Sequence, residues 1–211
     1  MGRSILRHVL CLDGTRSMKI ILINGPPGSG KDTAANLIKR IGSAVVDYKM
    51  SKPLKEAFTK LLQIEGSMIP YFLEDHKDEK VPELGGMSPR EVQIELSERF
   101  CKHLFGEDFF GRTAARAIYS TPAKVVTVSD AGFQVEVAPL MEQFKFANIY
   151  LLELHRDECN FDNDSRSYLD HSVFKPQNVA VIQNDFDMEL FKAQIERTLT
   201  KWNFFLPSNP S

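Results

Sequence analysis

The chain has 211 residues, of which 26 are Lys or Arg, 28 are Asp or Glu and 43% are hydrophobic, and its formal net charge is −2. This balance fits one ordinary globular domain and excludes a global basic field that would attract nucleic acid. No apolar run approaches the roughly 18 residues of a membrane span, and the three cysteines show neither metal-ligand nor disulfide spacing. We therefore expect a cytoplasmic protein that binds neither nucleic acid nor membranes.

The amino-terminal segment, MGRSILRHVLCLDGTRS, contains a short apolar stretch that is broken by Arg7 and His8. No small-residue cleavage site follows it, so the segment does not have the pattern of a secretory signal. We predict that residues 1–17 are an extension, that one domain covers residues 18–205, and that residues 206–211 form a tail.

Strands and helices alternate along the predicted domain. Continuous apolar runs predict buried strands at residues 19–24, 44–48, 125–128, 149–154 and 179–182. Apolar periodicity and capping residues predict helices at 31–41, 51–62, 88–105, 110–119, 133–146 and 187–202. Ser51 is predicted to cap the second of these helices, and Ser88 with Glu91 to form a capping box. The alternation predicts a three-layer α/β/α fold with a five-stranded parallel sheet and ligands at the carboxyl ends of its strands.

The segment GPPGSGKDT, residues 25–33, lies between the first predicted strand and the first predicted helix. Glycines let successive backbone N–H groups turn inward toward phosphate oxygens, the helix start adds partial positive charge, and Lys31 can reach the β- and γ-phosphates. The pattern is typical of the phosphate loop, or P-loop, of nucleotide-binding proteins. The predicted ATP-binding residues are Gly25, Gly28, Ser29, Gly30, Lys31, Asp32 and Thr33.

Magnesium is the second predicted cofactor, although the loop departs from the common pattern. The residue after the lysine is usually Ser or Thr with its hydroxyl on Mg²⁺, whereas here Asp32 takes that position and Thr33 follows. The Thr33 hydroxyl is one candidate ligand, and Asp32 either holds Mg²⁺ through water or caps the helix start. Asp130, which follows the third strand, is predicted to hold Mg²⁺ opposite the loop, the alternative being a solvated turn aspartate.

Three segments outside the phosphate loop are also informative: MSKPLKEAF at 50–58, MSPREVQIELSERFCKHLFGEDFFGR at 87–112 and VTVSDAGFQVE at 126–136. Together with GPPGSGKDT, their order and spacing over most of residues 18–200 resemble the phage-type deoxynucleoside monophosphate kinases. Animal-type phosphomevalonate kinases share the GKD, the PLKE segment and the SD after the third strand, so the chain resembles them as well.

The resemblance implies an ATP-dependent kinase domain with an acceptor-binding region at about 50–118 and a lid at about 155–176. Its product would be a deoxynucleoside diphosphate, made in the host cytoplasm if the chain is phage-encoded. The resemblance implies catalytic roles for Lys31, Asp130, Arg156 and Arg166 and places Arg90 in the acceptor region. Lys52 and Lys55 lie just past the second strand, where they could contact the acceptor phosphate or be solvated. Whether the chain forms a homodimer is left open.

One position departs from the family. The family tends to have an arginine two residues after the aspartate of the third strand, where this chain has Gly132, although Glu136 is retained. The role of that arginine must therefore be filled from elsewhere or be missing.

The chemistry of such an acceptor fits the residues. A phosphate is already anionic near neutral pH, so catalysis requires positioning and charge neutralisation rather than a strong base. The alternatives are phosphomevalonate kinase, another small-molecule P-loop kinase, or a regulatory ATPase that has no acceptor. No Asn-Lys-x-Asp run for reading guanine occurs, which counts against a GTPase switch.

Overall fold

The computed structural model describes residues 18–204 except residues 43, 146, 147, 163 and 186. The predicted extension and tail, and the predicted helix end at residue 146, therefore lie outside the described residues.

A five-stranded parallel sheet forms the centre of the fold, with the strand order β2-β3-β1-β4-β5. The strands are β1 (Lys19–Asn24), β2 (Val45–Tyr48), β3 (Val125–Val128), β4 (Ile149–His155) and β5 (Val179–Gln183). The predicted five-stranded parallel sheet is confirmed, and the strand that leads into the phosphate loop is its central one.

The described part of the chain has six α-helices of seven or more residues: α1 (Lys31–Ile41), α2 (Lys52–Leu61), α3 (Pro89–Glu95), α4 (Phe109–Tyr119), α5 (Gln134–Phe144) and α6 (Met188–Lys201). Shorter helical pieces are Met68–Pro70, Pro82–Leu84, His103–Phe105, His171–Val173 and Pro176–Asn178. Tyr71–Asp75 and Leu96–Lys102 are π-helical. The helix predicted over 88–105 is thus a continuous run of helical turns, in which residues 96–102 are π-helical rather than α-helical.

The sheet divides the core into two halves. Ile20 and Leu22 of β1 pack with α4 and α5, whereas Ile21 and Ile23 pack with α1 and α6. All four side chains are fully buried, which explains why β1 is a continuous apolar run rather than an alternating one. The three-layer α/β/α arrangement is therefore confirmed.

Two predicted caps have different outcomes. Ser88 Oγ accepts from the Glu91 N–H and the Glu91 carboxylate accepts from the Ser88 N–H, which confirms the capping box. Ser51 occupies the cap position of α2, as predicted, but its side chain makes no cap hydrogen bond. Its hydroxyl donates instead to Asp130 Oδ2 at 2.7 Å.

The packing of α4 on α5 requires a glycine. A Cβ atom at Gly111 would lie 2.2 Å from the Glu136 carbonyl oxygen, so the two helix backbones approach closely only because this residue has no side chain.

None of the helices in the described residues has both the length and the apolar character of a membrane span.

Candidate active site at the phosphate loop

The phosphate loop connects β1 to α1 through glycines in unusual backbone conformations. Gly28 has φ +81° and Gly30 has φ +97°, values that residues with a Cβ rarely adopt. A Cβ at Gly30 would also lie 2.6 Å from Asn184 Nδ2. The hydroxyl of Ser29 is buried and has no hydrogen-bond partner among the described residues, so a donor is available inside the loop.

Lys31 places its ammonium group within this loop. Its Nζ donates to the carbonyl oxygens of Gly25 and Pro26, both at 2.7 Å. The pKa of Lys31 is lowered to about 8, mainly by burial and to a lesser extent by the positive charge of Arg166, although nearby carboxylates oppose the shift. The loop therefore contains a partly desolvated cation, which favours an anionic ligand.

Asp130 connects the end of β3 to the start of α2. Its Oδ1 accepts from the Met50 N–H at 2.7 Å, and its Oδ2 accepts from the Ser51 N–H at 3.0 Å and from the Ser51 hydroxyl at 2.7 Å. This carboxylate is an anchored group rather than a solvated turn residue. Its role as a magnesium ligand stays a prediction.

Asp32 and Lys49 join the loop side of the sheet to β2. Lys49 Nζ lies 2.8 Å from Asp32 Oδ1, while the residue at the cap position of α1 is Gly30. Asp32 is therefore not the cap residue of α1, and its water-mediated metal role stays a prediction. Nearby, Asp47 accepts hydrogen bonds from Thr127 and Ser129, and burial raises its pKa.

A cleft of about 470 Å³ opens beside this pair. Its lining residues come from the end of β2, from α2 and from the following helical turns: Asp47, Lys49, Ser51, Lys52, Lys55, Glu56, Thr59, Ile69, Leu73 and Glu74. The cleft thus combines three lysines with apolar surface at one edge of the sheet.

The predicted acceptor residues are only partly brought together. Lys52 and Lys55 both line the cleft and pair with acidic neighbours there, Lys55 donating to Glu74 at 2.9 Å. Arg90 pairs with Asp78 at 2.6 Å and is not among the residues that line the cleft. The acceptor role of all three stays a prediction.

The two predicted lid arginines occupy different places. Arg156 donates to the Gly28 carbonyl oxygen at 2.8 Å, so it lies against the phosphate loop. Arg166 forms a bidentate pair with Asp164, its Nε at 2.9 Å from Oδ1 and its Nη2 at 2.5 Å from Oδ2. This pairing holds the pKa of Asp164 below its usual value.

The aliphatic part of Arg166 lies directly over Gly132. A Cβ built on Gly132 would be 2.7 Å from the Cβ, Cγ and Cδ atoms of Arg166. The space in which a side chain at position 132 would begin is therefore occupied by an arginine that comes from a later part of the chain.

Glu136 lies in the first turn of α5 and is 3% exposed. Burial raises its pKa to about 7, although the positive charge of Lys102 opposes the shift. A carboxyl group of this kind holds its proton at mildly acidic pH.

Part of the predicted lid is joined to the core by Asn24, the fully buried last residue of β1. Its Nδ2 donates to the carbonyl oxygens of Ala131 and Ser167 at 2.9 and 3.0 Å, and its Oδ1 accepts from the Leu169 N–H at 3.0 Å. Leu169 and Phe174 are themselves in the core. The mobility of residues 155–176 stays a prediction, but this stretch of them is packed.

Thr33 lines the groove between α1 and α6 together with Leu37, Arg40 and Met188. Its role as a magnesium ligand stays a prediction. Among the described residues, no group of three or more His, Cys, Asp or Glu side chains could hold a metal ion by itself. Any metal here would therefore share its coordination with water and phosphate oxygens.

The interpretation of the sequence missed Lys49, Asn24 and Asp164. A simple rule would have found the first two, because the carboxyl ends of parallel strands meet at one edge and polar residues there are candidates. Lys49 follows β2 directly and Asn24 ends β1. No sequence pattern indicates the Asp164 pairing, which depends on how residues 164–169 fold over the sheet.

Comparisons with known proteins add little. No family model and no curated protein matches the chain significantly. It is similar to a solved "putative kinase" from Chloroflexus aurantiacus, with a TM-score of 0.45 and 11% identity over 87% of this chain and 99% of that one. It is also similar to TT1252 from Thermus thermophilus, with a TM-score of 0.40 and 18% identity over 87% and 95% of the two chains. These similarities are too weak to support a functional argument. The fold and the loop define a P-loop α/β domain.

Proposed function

We propose that the protein is an ATP-dependent kinase that transfers the γ-phosphoryl group to a deoxynucleoside monophosphate. The observation that carries the proposal is the position of the cleft relative to the phosphate loop. Lys49, which lines the cleft, contacts Asp32 in the first turn after the loop at 2.8 Å. A nucleotide in the loop and an acceptor in the cleft would therefore meet across the Asp32–Lys49 pair.

The cleft suits an acceptor that already carries a phosphate. Lys49, Lys52 and Lys55 supply positive charge, while Ile69 and Leu73 supply apolar surface for the rest of the molecule. Its volume of about 470 Å³ lies within the usual range for small-molecule sites, roughly 300 to 1,000 Å³. A deoxynucleotide has this combination, because it carries an anionic phosphate and a planar base whose two faces are apolar.

The proposed mechanism uses the residues of the loop for charge neutralisation. Lys31 and the Ser29 hydroxyl bind the terminal phosphates of ATP, and Arg166 faces the same phosphates beside Lys31. An acceptor phosphate oxygen attacks the γ-phosphorus, and the bond to the bridging oxygen of ADP breaks. The attacking oxygen is already anionic, so no side chain has to remove a proton.

Asp32 and Asp130 fit a magnesium ion held through water. Both are carboxylates, the oxygen ligands that Mg²⁺ prefers, and each already has a protein partner. A bound Mg²⁺ ion would supply positive charge that offsets the negative charge of the phosphates during transfer.

An assay of ADP formation with a panel of acceptors tests the proposal. The panel contains the deoxynucleoside monophosphates, the ribonucleotides and phosphomevalonate, with a reaction lacking acceptor as the control. We expect ADP formation that depends on at least one deoxynucleotide and that is accompanied by an equal amount of its diphosphate.

Other outcomes of this assay would reject the proposal. Turnover of phosphomevalonate alone would favour that kinase, and ATP hydrolysis that no acceptor stimulates would favour a regulatory ATPase. Absence of turnover with every deoxynucleotide, from protein that binds ATP, would exclude the acceptor class proposed above.

A further inference from the structure

Arg166 reaches the site along a path that only a glycine at position 132 leaves open. The three carbons that a Cβ at Gly132 would meet at 2.7 Å include the Cβ and Cγ of Arg166. These atoms are close to the backbone of Arg166 and cannot swing away as the end of a long side chain can. Gly132 is not among the residues with positive φ, so an alanine there would be opposed by the contact and not by its own backbone angles.

The backbone around Arg166 cannot easily move aside. The Ser167 N–H donates to the Gly132 carbonyl oxygen at 3.2 Å, and Asn24 binds the neighbouring Ala131, Ser167 and Leu169. Because Asn24 is fully buried, breaking these bonds would leave polar groups without partners in the core. A side chain at position 132 would therefore displace the arginine.

The far end of Arg166 is fixed by Asp164, whose side chain is 10% exposed. Two guanidinium nitrogens bind the two carboxylate oxygens, and the Arg166 N–H also donates to Oδ1 at 2.9 Å. A bidentate pair of this kind sets the plane and direction of a guanidinium group. The hydrogen bonds of the core bring this segment to the phosphate loop. Ser167, the residue after Arg166, accepts from Asn24 Nδ2 at 3.0 Å, and Gly25, the residue after Asn24, accepts from Lys31 Nζ at 2.7 Å.

We propose that Gly132 and Asp164 are positioning residues that hold the Arg166 guanidinium beside Lys31 as a preset pair for the transferred phosphate. The inference rests on the proposed function. It assigns the arginine to the fixed part of the domain, so that Arg166 is in place before any lid closes. Arg166 does not line the acceptor cleft, so its misplacement lowers kcat more than it raises the acceptor KM.

A double-mutant cycle between Gly132→Ala and Arg166→Ala tests the inference, with kcat, the KM of the acceptor and the Kd of Mg-ATP as readouts. Gly132→Ala alone is expected to lower kcat about 10- to 100-fold, because misplacing a catalytic group by about 1 Å has effects of this size. In the Arg166→Ala background, the contact with the Cβ at position 166 remains and should lower the melting temperature. The same glycine substitution is nevertheless expected to change kcat less than about twofold there, because no guanidinium group is left to displace. Asp164→Asn is expected to lower kcat in the same direction.

Gly42→Ala is the control. Gly42 follows the end of α1 that is far from the phosphate loop, and its φ of −111° and ψ of 139° are open to alanine. Its kcat should equal that of the wild type even if its melting temperature falls. Melting curves of all variants separate loss of folding from loss of position.

The results separate this inference from the function on which it rests. Suppose that the wild type turns over the acceptor. The inference alone would then be overturned if Gly132→Ala left kcat unchanged, or if it lowered kcat equally in the wild type and in Arg166→Ala. If the wild type turned over no acceptor, the proposed function would fail, and the cycle would be read from the Kd of Mg-ATP. In that case, the positioning role is supported if Gly132→Ala weakens Mg-ATP binding only when Arg166 is present. It is rejected if Gly132→Ala weakens binding equally without Arg166, or if the wild type does not bind Mg-ATP.

Discussion

The two sides of the site are built in different ways. On the nucleotide side, the end of β1, the turn after β3 and residues 167–169 are joined by hydrogen bonds to the fully buried side chain of Asn24. On the acceptor side, residues 61–105 expose much apolar surface: Leu61, Leu62, Met68, Ile69, Tyr71, Met87, Ile94, Phe100, Leu104 and Phe105. Both π-helical pieces also lie there. Under the proposed function, this difference leads us to expect that the groups binding phosphate are preset and that the groups selecting the acceptor adapt to it.

The largest expected effect comes from breaking the preset side at Lys31. Lys31→Ala should lower kcat by about 100- to 1,000-fold, because a desolvated cation aimed at the transferred phosphate is lost. The fold should persist, and circular dichroism with steady-state kinetics checks both points. A variant that kept wild-type turnover would remove the loop from the mechanism. Lys39→Ala, at the far end of α1, is the control.

Glu136 provides a test of burial on the same side. Its pKa rises from 4.5 to about 7 in the folded protein, so the folded state keeps a proton that the unfolded state loses in this window. Stability should therefore fall as the pH rises from 4.5 to about 7. Glu136→Gln should remove the penalty and stabilise the protein at pH 8 by about 1 to 3 kcal/mol, with no difference near pH 4.

Denaturant unfolding at both pH values measures this difference, with Glu142→Gln as the control on the exposed face of α5. An equal effect of Glu136→Gln at pH 4 and pH 8 would show that the buried carboxyl does not titrate as described.

On the acceptor side, we expect a smaller effect, which changes the KM of the acceptor and not the Kd of Mg-ATP. Lys55→Ala should raise the KM of the acceptor about 10-fold, because one charge-assisted contact to its phosphate is lost. The Kd of Mg-ATP should stay the same. Lys60→Ala, which removes a lysine of α2 that does not line the cleft, should leave both constants unchanged. A rise in the Kd of Mg-ATP instead would mean that the two sides are not separate.

The smallest effect is one of dynamics. Amide hydrogen exchange should show that a bound deoxynucleotide protects residues 62–105 more than it protects residues 20–24 of β1, because only the former side rearranges. Protection is expected to rise about 10-fold or less, since local ordering by a ligand is a change of about 1 kcal/mol. Equal protection on both sides would contradict the contrast between them.

On the nucleotide side, sequence patterns predict well those elements that are formed by contiguous residues. The continuous apolar run of β1 and the glycines before Lys31 indicate strand, loop and helix by spacing alone, and the structure confirms these elements. The contact of Gly132 with Arg166 could not be predicted, because it joins positions far apart in the chain and depends on how residues 164–169 cross the sheet. Ser51 shows the same limit: a residue suited to capping instead donates to Asp130, an interaction that only the tertiary fold makes available.

The most direct test of the account is a crystal structure with Mg²⁺, a non-hydrolysable ATP analogue and a deoxynucleoside monophosphate. The account predicts the β- and γ-phosphates within hydrogen-bond distance of Lys31 and the Ser29 hydroxyl, and the monophosphate in the cleft beside Lys49 and Lys55. Triphosphate density elsewhere, or an acceptor bound away from this cleft while the analogue occupies the loop, would contradict it.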